Sequence, residues 1–146
     1  MQISSAIHQL VPTHPFGISR AVSRSYNTVL MKIEHNGITG YGEAFPSARY
    51  EQSADHNRNI FNSASFGQLV HYIDRYQPVL LYEWCREAFQ DIDSLISGFT
   101  SAYYDWYARK LGVSVSELTG YDGGKMPVSS FTIGIDELDV IQRKVG

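Results

Sequence analysis

Arginines on two irregular segments are the residues of this sequence best suited to bind a ligand. Arg20 and Arg24 lie in a segment punctuated by Pro and Gly, residues 12–26, and Arg49 lies in the segment 44–52. A guanidinium group can bind a carboxylate through two parallel hydrogen bonds, and loops on a rigid sheet often carry binding groups. Ordinary solvated arginines would give the same pattern, so residue type alone leaves both interpretations open.

Sequence motifs that by themselves identify an active site are missing. The chain has no Gly-x-Ser-x-Gly, no phosphate-binding P-loop and no His-Glu-x-x-His. Residues 40–43 contain Gly-x-Gly at the end of a predicted strand, but no helix begins there, so a dinucleotide site is not indicated. The histidines lack the spacing of metal ligands and are expected to be structural or solvated: His8, His14, His35, His56 and His71.

Three further reactive side chains fit structural roles. Cys85 lies on an apolar helix face among aromatic residues and is expected in the core. Asp91 and Asp93 could form a carboxylate pair, but they fall at the start of a predicted helix. Acidic residues there cap backbone N–H groups and interact favourably with the helix dipole, so capping is the preferred interpretation.

A β-hairpin is predicted between the two arginine-bearing segments. Apolar residues alternate at period two in 27–35, Asn36-Gly37 favours a tight type I′ turn, and 38–43 returns as the partner strand. A less regular strand is predicted over 2–10. The segments 12–26 and 44–52 are predicted to be loops that flank this hairpin.

The rest of the chain is predicted to be mainly helical. Apolar residues recur at helical spacing, and Gly98 within one helix suggests close packing. A Ser-x-x-Glu capping box and two terminal glycines mark helix ends. The expected helices cover 53–63, 66–76, 82–90, 93–110 and 114–120, followed by a linker at 121–127, a strand at 128–133 and a helix at 137–145.

Composition places limits on the function. The 146 residues are 43% hydrophobic and 18% charged with a net charge of −3, although residues 1–50 are locally basic. This balance is typical of a globular protein with a substantial core and argues against nucleic-acid binding. The single cysteine excludes an internal disulfide. With no apolar run of about 20 residues, no membrane association is expected and the cytoplasm is the predicted compartment.

Several segments, read in order, resemble the amino-terminal part of the enolase superfamily, specifically its muconate-lactonising and dipeptide-epimerase branch. Pro-Ser-Ala-Arg-Tyr-Glu-Gln-Ser at 46–53 is similar to Pro-Tyr-x-Arg-Tyr-Gly-Glu-Ser of the dipeptide epimerases. Each motif is weak alone, but their common order covers nearly the whole chain. The other matching segments are 15–20, 23–25, 40–44, 102–108, 111–112, 117–120 and 128–136.

The resemblance implies an α+β fold. Residues 1–120 would form the enolase-type capping domain, a three-stranded antiparallel β meander followed by helices, with specificity loops at 12–26 and 44–52. Residues 121–127 would be a linker, and 128–146 the first strand and helix of a (β/α)7β barrel. A complete barrel needs about 250 residues, so this length does not accommodate one.

The resemblance also assigns substrate-binding residues. Arg24 would bind the acidic side chain of a dipeptide, Ile18 would line the pocket, and Arg20, Arg49 and Tyr50 would shape or hold the lid. Thr132, in the predicted first barrel strand, is included among the substrate-binding residues. Two departures fall within the loops: Ala21-Val22 replaces a usual Gly, and Glu51-Gln52 replaces the usual Gly-Glu, which leaves the dipeptide unspecified.

The activity implied is epimerisation of an acidic dipeptide such as L-Ala-D/L-Glu. In the family, Mg2+ stabilises an enediolate while two barrel lysines move the α-proton. Lys125 and Lys144 do not fit those roles, so no catalytic or metal-binding residue is expected in this chain and alone it should be inactive. Its expected partners are the missing barrel portion or a second copy, as a homo-oligomer. The alternatives are a muconate cycloisomerase, an o-succinylbenzoate synthase, or a non-enzymatic binding or assembly module derived from the cap.

Overall fold

The computed structural model describes residues 1–13, 16–18, 21–71, 73–125, 127–129 and 137–145. Its strands are β1 (Gln2–Leu10), β2 (Phe16–Ile18), β3 (Ala21–Ser23), β4 (Tyr26–His35) and β5 (Ile38–Ala44). Its α-helices are α1 (Ala54–Ser63), α2 (Pro78–Ala88), α3 (Asp93–Leu111), α4 (Val115–Thr119) and α5 (Leu138–Val145). Single 3₁₀ turns cover Ala48–Tyr50, Gly67–His71 and Gly123–Lys125.

Strands β1, β4 and β5 form an antiparallel sheet in the order β1-β4-β5. The hairpin register pairs His35 with Ile38, and the connecting Asn36 and Gly37 have φ values of 51° and 75°. Positive φ at both positions is the geometry of a type I′ turn, which confirms the predicted hairpin. Alternate residues of β4 are buried against the helices, as the period-two pattern requires.

Aromatic side chains fill much of the core between the sheet and the helices. Phe61, Phe66, Trp84, Phe89 and Phe99 form a continuous cluster with ring-centroid separations between 5.1 and 6.1 Å. Aromatic pairs at these distances add to the stabilisation that burial provides. The core therefore accounts for part of the high aromatic content of the sequence, whereas several tyrosines are exposed.

The predicted helix over 66–76 is wrong. Among the described residues of this segment only a 3₁₀ turn, Gly67–His71, forms, although Leu69 and Ile73 are buried four residues apart and so imitate a helical pattern. The following helix α2 starts at Pro78, four residues earlier than predicted, because proline is favoured in the first turn where its missing N–H costs nothing.

Neither of the two aspartates caps a helix with a side-chain hydrogen bond, and only Asp93 lies in a first turn, where its charge interacts favourably with the helix dipole. Helix α3 has Ile92 at its N-cap, with no side-chain hydrogen bond, and Asp93 lies in the first turn. Asp91 does not cap: it has a φ of 57°, and its carboxylate accepts a hydrogen bond from Arg86 Nε at 2.6 Å. Because this bond closes the end of α2, Asp91 belongs structurally to the preceding helix.

The prediction of an irregular loop over 12–26 is also wrong in part. Its described part contains a small antiparallel hairpin of β2 and β3, with Phe16 opposite Ser23 and Ile18 opposite Ala21. Strands of three residues are too short to show a recognisable period in sequence. Most of the strand predicted at 128–133 lies outside the described part of the chain, because residues 130–133 are not described. The predicted terminal helix is present as α5.

Candidate functional site

The two predicted loops border a common cleft of about 560 Å³. One wall is the start of β4, the second is the loop that follows β5, and the third is the first turn of α1. Ser53 Oγ caps that helix by accepting a hydrogen bond from the backbone N–H of His56 at 3.2 Å. The lining residues are Ser25, Tyr26, Asn27, Phe45, Pro46, Ser47, Ala48, Arg49, Gln52, Ser53, Ala54 and Asp55.

One of the predicted arginines lines this cleft, and a second is next to it in the sequence. Arg49 lines it, and Arg24 immediately precedes its first lining residue, Ser25; both arginines are exposed. Among the described residues neither guanidinium group has an acidic partner, whereas other arginines of the chain pair with Asp91, Asp105 and Asp139. Asp55 also lines the cleft but forms no ion pair with either arginine, so a ligand carboxylate can pair with their guanidinium groups.

The second loop is ordered by its own backbone. The Ser47 carbonyl oxygen accepts hydrogen bonds from the N–H groups of Tyr50 (2.9 Å) and Gln52 (3.2 Å). Ser47 Oγ accepts another from the Arg49 N–H at 3.3 Å. Glu51 completes the turn in the left-handed region, with a φ of 58°. These contacts fix the backbone that carries Arg49 and Tyr50.

Tyr50 lies on a neighbouring hollow rather than in the main cleft. This hollow has a volume of about 390 Å³ and is also lined by Asp93 and Ser94, at the start of α3. The Tyr50 side chain is 68% exposed, so it projects from the loop instead of packing on the core. Gln52 lines both hollows and lies at the boundary between them.

A chain of side-chain hydrogen bonds connects the second loop to two helices. Asn57 Nδ2, on α1, donates to Ser94 Oγ on α3 at 2.8 Å. Ser94 Oγ donates in turn to Gln52 Oε1 at 2.7 Å. Sequence reasoning did not single out Asn57, Ser94 or Gln52 as a group, because their contacts join positions 37 and 42 residues apart.

Thr28 supports the wall formed by β4. Its side chain is fully buried, and its hydroxyl donates to Glu43 Oε1 on β5 at 2.7 Å. The next residue toward the cleft is Asn27, one of the lining residues. A buried hydroxyl that donates to a carboxylate forms a strong hydrogen bond, so this pair stabilises the strand end beside the cleft.

The remaining predicted site residues have different outcomes. Ile18 lies in β2, while Arg20 and Thr132 are outside the described residues. Within the ranges that the structure describes, no three His, Cys, Asp or Glu side chains come together in a way that could hold a metal ion. The same ranges contain no helix that is both long and apolar enough to cross a membrane.

A second polar cluster lies at the far end of α3. Asp74 accepts hydrogen bonds from Lys110 Nζ at 2.8 Å and pairs with His35 Nε2 at 3.0 Å. The bond from Lys110, followed by that from His35, lowers the pKa of the Asp74 carboxyl. Ser94 and Lys110 are 16 residues apart on one helix, or about 24 Å, so this cluster is separate from the cleft and joins the hairpin to the helix.

Comparison with known proteins places this geometry in context. The profile of the mandelate racemase / muconate lactonizing enzyme family, N-terminal domain, matches residues 3–120. An L-Ala-D/L-amino acid epimerase from a Maribacter species is 28% identical over 99% of this chain and 42% of its own length. An L-Ala-D/L-Glu epimerase from Bacteroides thetaiotaomicron is 25% identical over 99% of this chain and 37% of its own.

The fold has a counterpart among solved structures. A dipeptide epimerase from Methylococcus capsulatus, complexed with Mg and the dipeptide L-Arg-D-Lys, superposes with a TM-score of 0.84. The match covers 99% of this chain and 41% of that one at 20% identity. The three-stranded antiparallel sheet followed by helices matches the enolase-type capping domain, which confirms the predicted fold class. The chain spans about two fifths of the length of the curated relatives it matches.

Proposed function

The chain belongs to the mandelate racemase / muconate lactonizing enzyme family and corresponds to the N-terminal portion of its dipeptide epimerases. On that premise we propose that it is the substrate-specificity lid of a magnesium-dependent epimerase that acts on an acidic dipeptide such as L-Ala-D/L-Glu. The names of the curated relatives support the reaction class, and the fold supports the lid role.

One observation carries this proposal. The two segments that the family uses as specificity loops border a single cleft; Arg49 lines it, Arg24 directly precedes the lining residue Ser25, and neither arginine has an acidic partner among the described residues. An arginine without a partner near a partly enclosed cleft is suited to bind a carboxylate. The side-chain carboxylate of an acidic dipeptide supplies such a group.

The chain would contribute binding, orientation and exclusion of water. Arg24 pairs with the acidic side chain of the dipeptide, and the loop that carries Arg49 and Tyr50 covers the substrate. A cover of this kind strengthens electrostatic interactions beneath it, because water is displaced. Positioning the substrate lowers the entropic part of the activation free energy of the reaction that the barrel would catalyse.

The groups that move the proton would lie elsewhere. The described residues do not fit a magnesium site, because they bring no suitable set of carboxylate or histidine ligands together. We place the metal ligands and the two lysines of the family reaction on barrel strands outside this chain, with the first strand and helix of that barrel at 128–146. The chain alone is therefore proposed to be inactive.

A deuterium-exchange experiment tests both parts of the proposal. The purified chain, incubated with Mg2+ and L-Ala-L-Glu in heavy water, should incorporate no deuterium at the glutamate α-carbon. The chain fused to the barrel segment of the Maribacter relative should incorporate it. Exchange by the chain alone would show that it is not merely a lid. A folded fusion that exchanges other dipeptides but no acidic one would contradict the substrate assignment.

A further inference from the structure

Gln52 occupies a position that gives its side chain a defined direction. It is the last residue of the second loop, lies between the two hollows, and is half-buried. Its backbone N–H donates to the Ser47 carbonyl oxygen, and its side-chain oxygen accepts from Ser94 Oγ at 2.7 Å. Both ends of the residue are therefore held, one by the loop and the other by α3.

The hydrogen bonds that hold Gln52 run in one direction, although Asn57 Oδ1 is buried without a partner among the described residues. A serine hydroxyl has one proton to donate. Since Ser94 gives that proton to Gln52, it can only accept from Asn57, whose Nδ2 lies 2.8 Å away. Asn57 is fully buried, so its amide is shielded from competing water. The order of donors runs outward from Asn57 through Ser94 to Gln52.

This polarity determines which atoms of Gln52 are available to a ligand. The carbonyl oxygen is used by Ser94, so the amino group is directed away from that bond. Nε2 has no acceptor among the described residues. It can therefore donate at the cleft, on which Arg49 also lies. Asp55, in the first turn of α1, is the acidic side chain on the lining of the same cleft.

We propose that Gln52 is a specificity-determining residue that donates a hydrogen bond to a carboxylate group bound in this cleft, and that Ser94 and Asn57 are the positioning residues that fix its amide. Two donors that line the same cleft, one of them charged, suit the two oxygens of a carboxylate. An ammonium group offers only donors and cannot be satisfied by the Gln52 amino group. The identity of the ligand as a dipeptide rests on the proposed function, but the donor arrangement does not.

Nuclear magnetic resonance of the chain as it stands tests the arrangement with simple ions. Acetate is the carboxylate probe and methylammonium the cation probe, added at equal ionic strength to 15N-labelled protein. Acetate should shift the side-chain Nε2–H resonances of Gln52, and methylammonium should leave them unchanged. Equal shifts from both ions, a shift from methylammonium alone, or no shift from acetate would overturn the proposal.

Variants of Ser94 separate positioning from simple stability. Ser94→Ala removes the donor and should weaken the apparent acetate affinity by about threefold to tenfold, because the amide is then free to turn. Ser94→Thr keeps a hydroxyl and should restore it. Ser101→Ala makes the same change at an exposed position of α3 and should have no effect. Equal acetate affinity for the alanine and threonine variants at position 94 would overturn the positioning role.

Reversing the chemistry at Gln52 provides the sharpest test. Gln52→Glu keeps an oxygen for Ser94 but replaces the amino group with a second, negatively charged oxygen. The variant carries the Glu that is usual at this position in the resembling epimerases, and it should lose the acetate effect at residue 52, followed through the backbone N–H of that residue. Gln68→Glu adds the same charge at an exposed site and should retain the acetate preference. Retention of that preference by Gln52→Glu would contradict the proposal, whereas failure of the proposed epimerase activity would leave these measurements unaffected.

Discussion

Gly42 on β5 and Gly98 on α3 are in direct backbone contact: a Cβ atom on Gly42 would overlap the carbonyl oxygen of Gly98. A Cβ atom on Gly98 would lie 2.8 Å from the backbone nitrogen of Ala44. Ser94 is four residues before Gly98 and so lies on the same side of the helix. The contact between the two glycines therefore fixes the first turns of α3, which include Ser94 and its hydrogen bond to Gln52, against β5.

Replacing Gly98 by Ala should destabilise the chain by about 1–3 kcal/mol. A methyl group there meets backbone atoms that cannot move aside independently, and overpacking costs of this size are typical. The intrinsic preference of helices for Ala over Gly, about 1 kcal/mol, offsets only part of this cost. Urea unfolding monitored by circular dichroism measures the difference.

Gly67→Ala is the matched control for this substitution. A Cβ atom at Gly67 would meet nothing within 4 Å, so the free energy of unfolding should change by less than about 0.5 kcal/mol. If Gly98→Ala instead stabilised the chain, the close approach of α3 to β5 would be wrong.

Glu51→Gly should stabilise the second loop. Glu51 has a φ of 58°, a left-handed conformation that costs an ordinary residue about 1 kcal/mol or more, and glycine adopts it freely. Glycine also increases the conformational entropy of the unfolded chain, which offsets part of this gain. We therefore expect a net increase of about 0.5–1 kcal/mol in the free energy of unfolding. Gly37→Ala, at a φ of 75°, should show the opposite sign. Destabilisation by Glu51→Gly would contradict this backbone assignment.

Acidification should lower the free energy of unfolding, because it protonates the carboxyl group of Asp74. Its pKa in the folded chain is below the ordinary value of 3.8 because of Lys110 and His35. The folded state thus binds this proton less tightly than the unfolded state. The contribution of the Asp74 carboxylate to the free energy of unfolding is complete above pH 3.8. It is lost as the pH falls through the lower folded-state pKa of this group. Asp74→Asn should flatten the decrease in unfolding free energy in that range, measured by urea titrations at successive pH values; an equally steep decrease in the variant would contradict the role of Asp74.

The thiol of Cys85 should be unreactive in the folded chain. It is fully buried, and burial raises its pKa to about 12, so almost no thiolate is present near neutral pH. A thiol-specific reagent such as dithiobisnitrobenzoate should label it only at the rate at which the chain unfolds, and rapidly in denaturing urea. Fast labelling of the folded protein would mean that Cys85 is not in the core.

Arg24→Met should selectively impair acidic dipeptides in the fused, barrel-containing enzyme. Loss of a charge-assisted hydrogen bond removes about 1.5–3 kcal/mol, so kcat/KM for L-Ala-L-Glu should fall by about tenfold to a hundredfold. The value for a neutral dipeptide should change little. Arg58→Met, at an exposed position of α1, is the control. Equal losses for acidic and neutral dipeptides would reject the role of Arg24.

Local patterns in the sequence were sufficient where neighbouring residues decide the structure. Asn36-Gly37 determined the hairpin turn, because both residues accept positive φ at low cost. Ser114 and Glu117 determined the start of α4, where each side chain bonds the other's backbone N–H. The buried stripe of α3 followed from its helical period. These features depend on contacts within a few residues, and the order of such motifs was also enough to indicate the family.

Only the tertiary structure decided how those elements form a site. No sequence pattern connects Gln52 with Ser94 and Asn57, because hydrogen bonds between distant residues leave no spacing along the chain. The sequence suggested close packing at Gly98 but could not identify Gly42 as the partner. The placement of Arg49 on a common cleft with the start of β4 likewise depends on how α1 and β5 bring separate segments together. Side-chain type is local information, whereas proximity is a property of the fold.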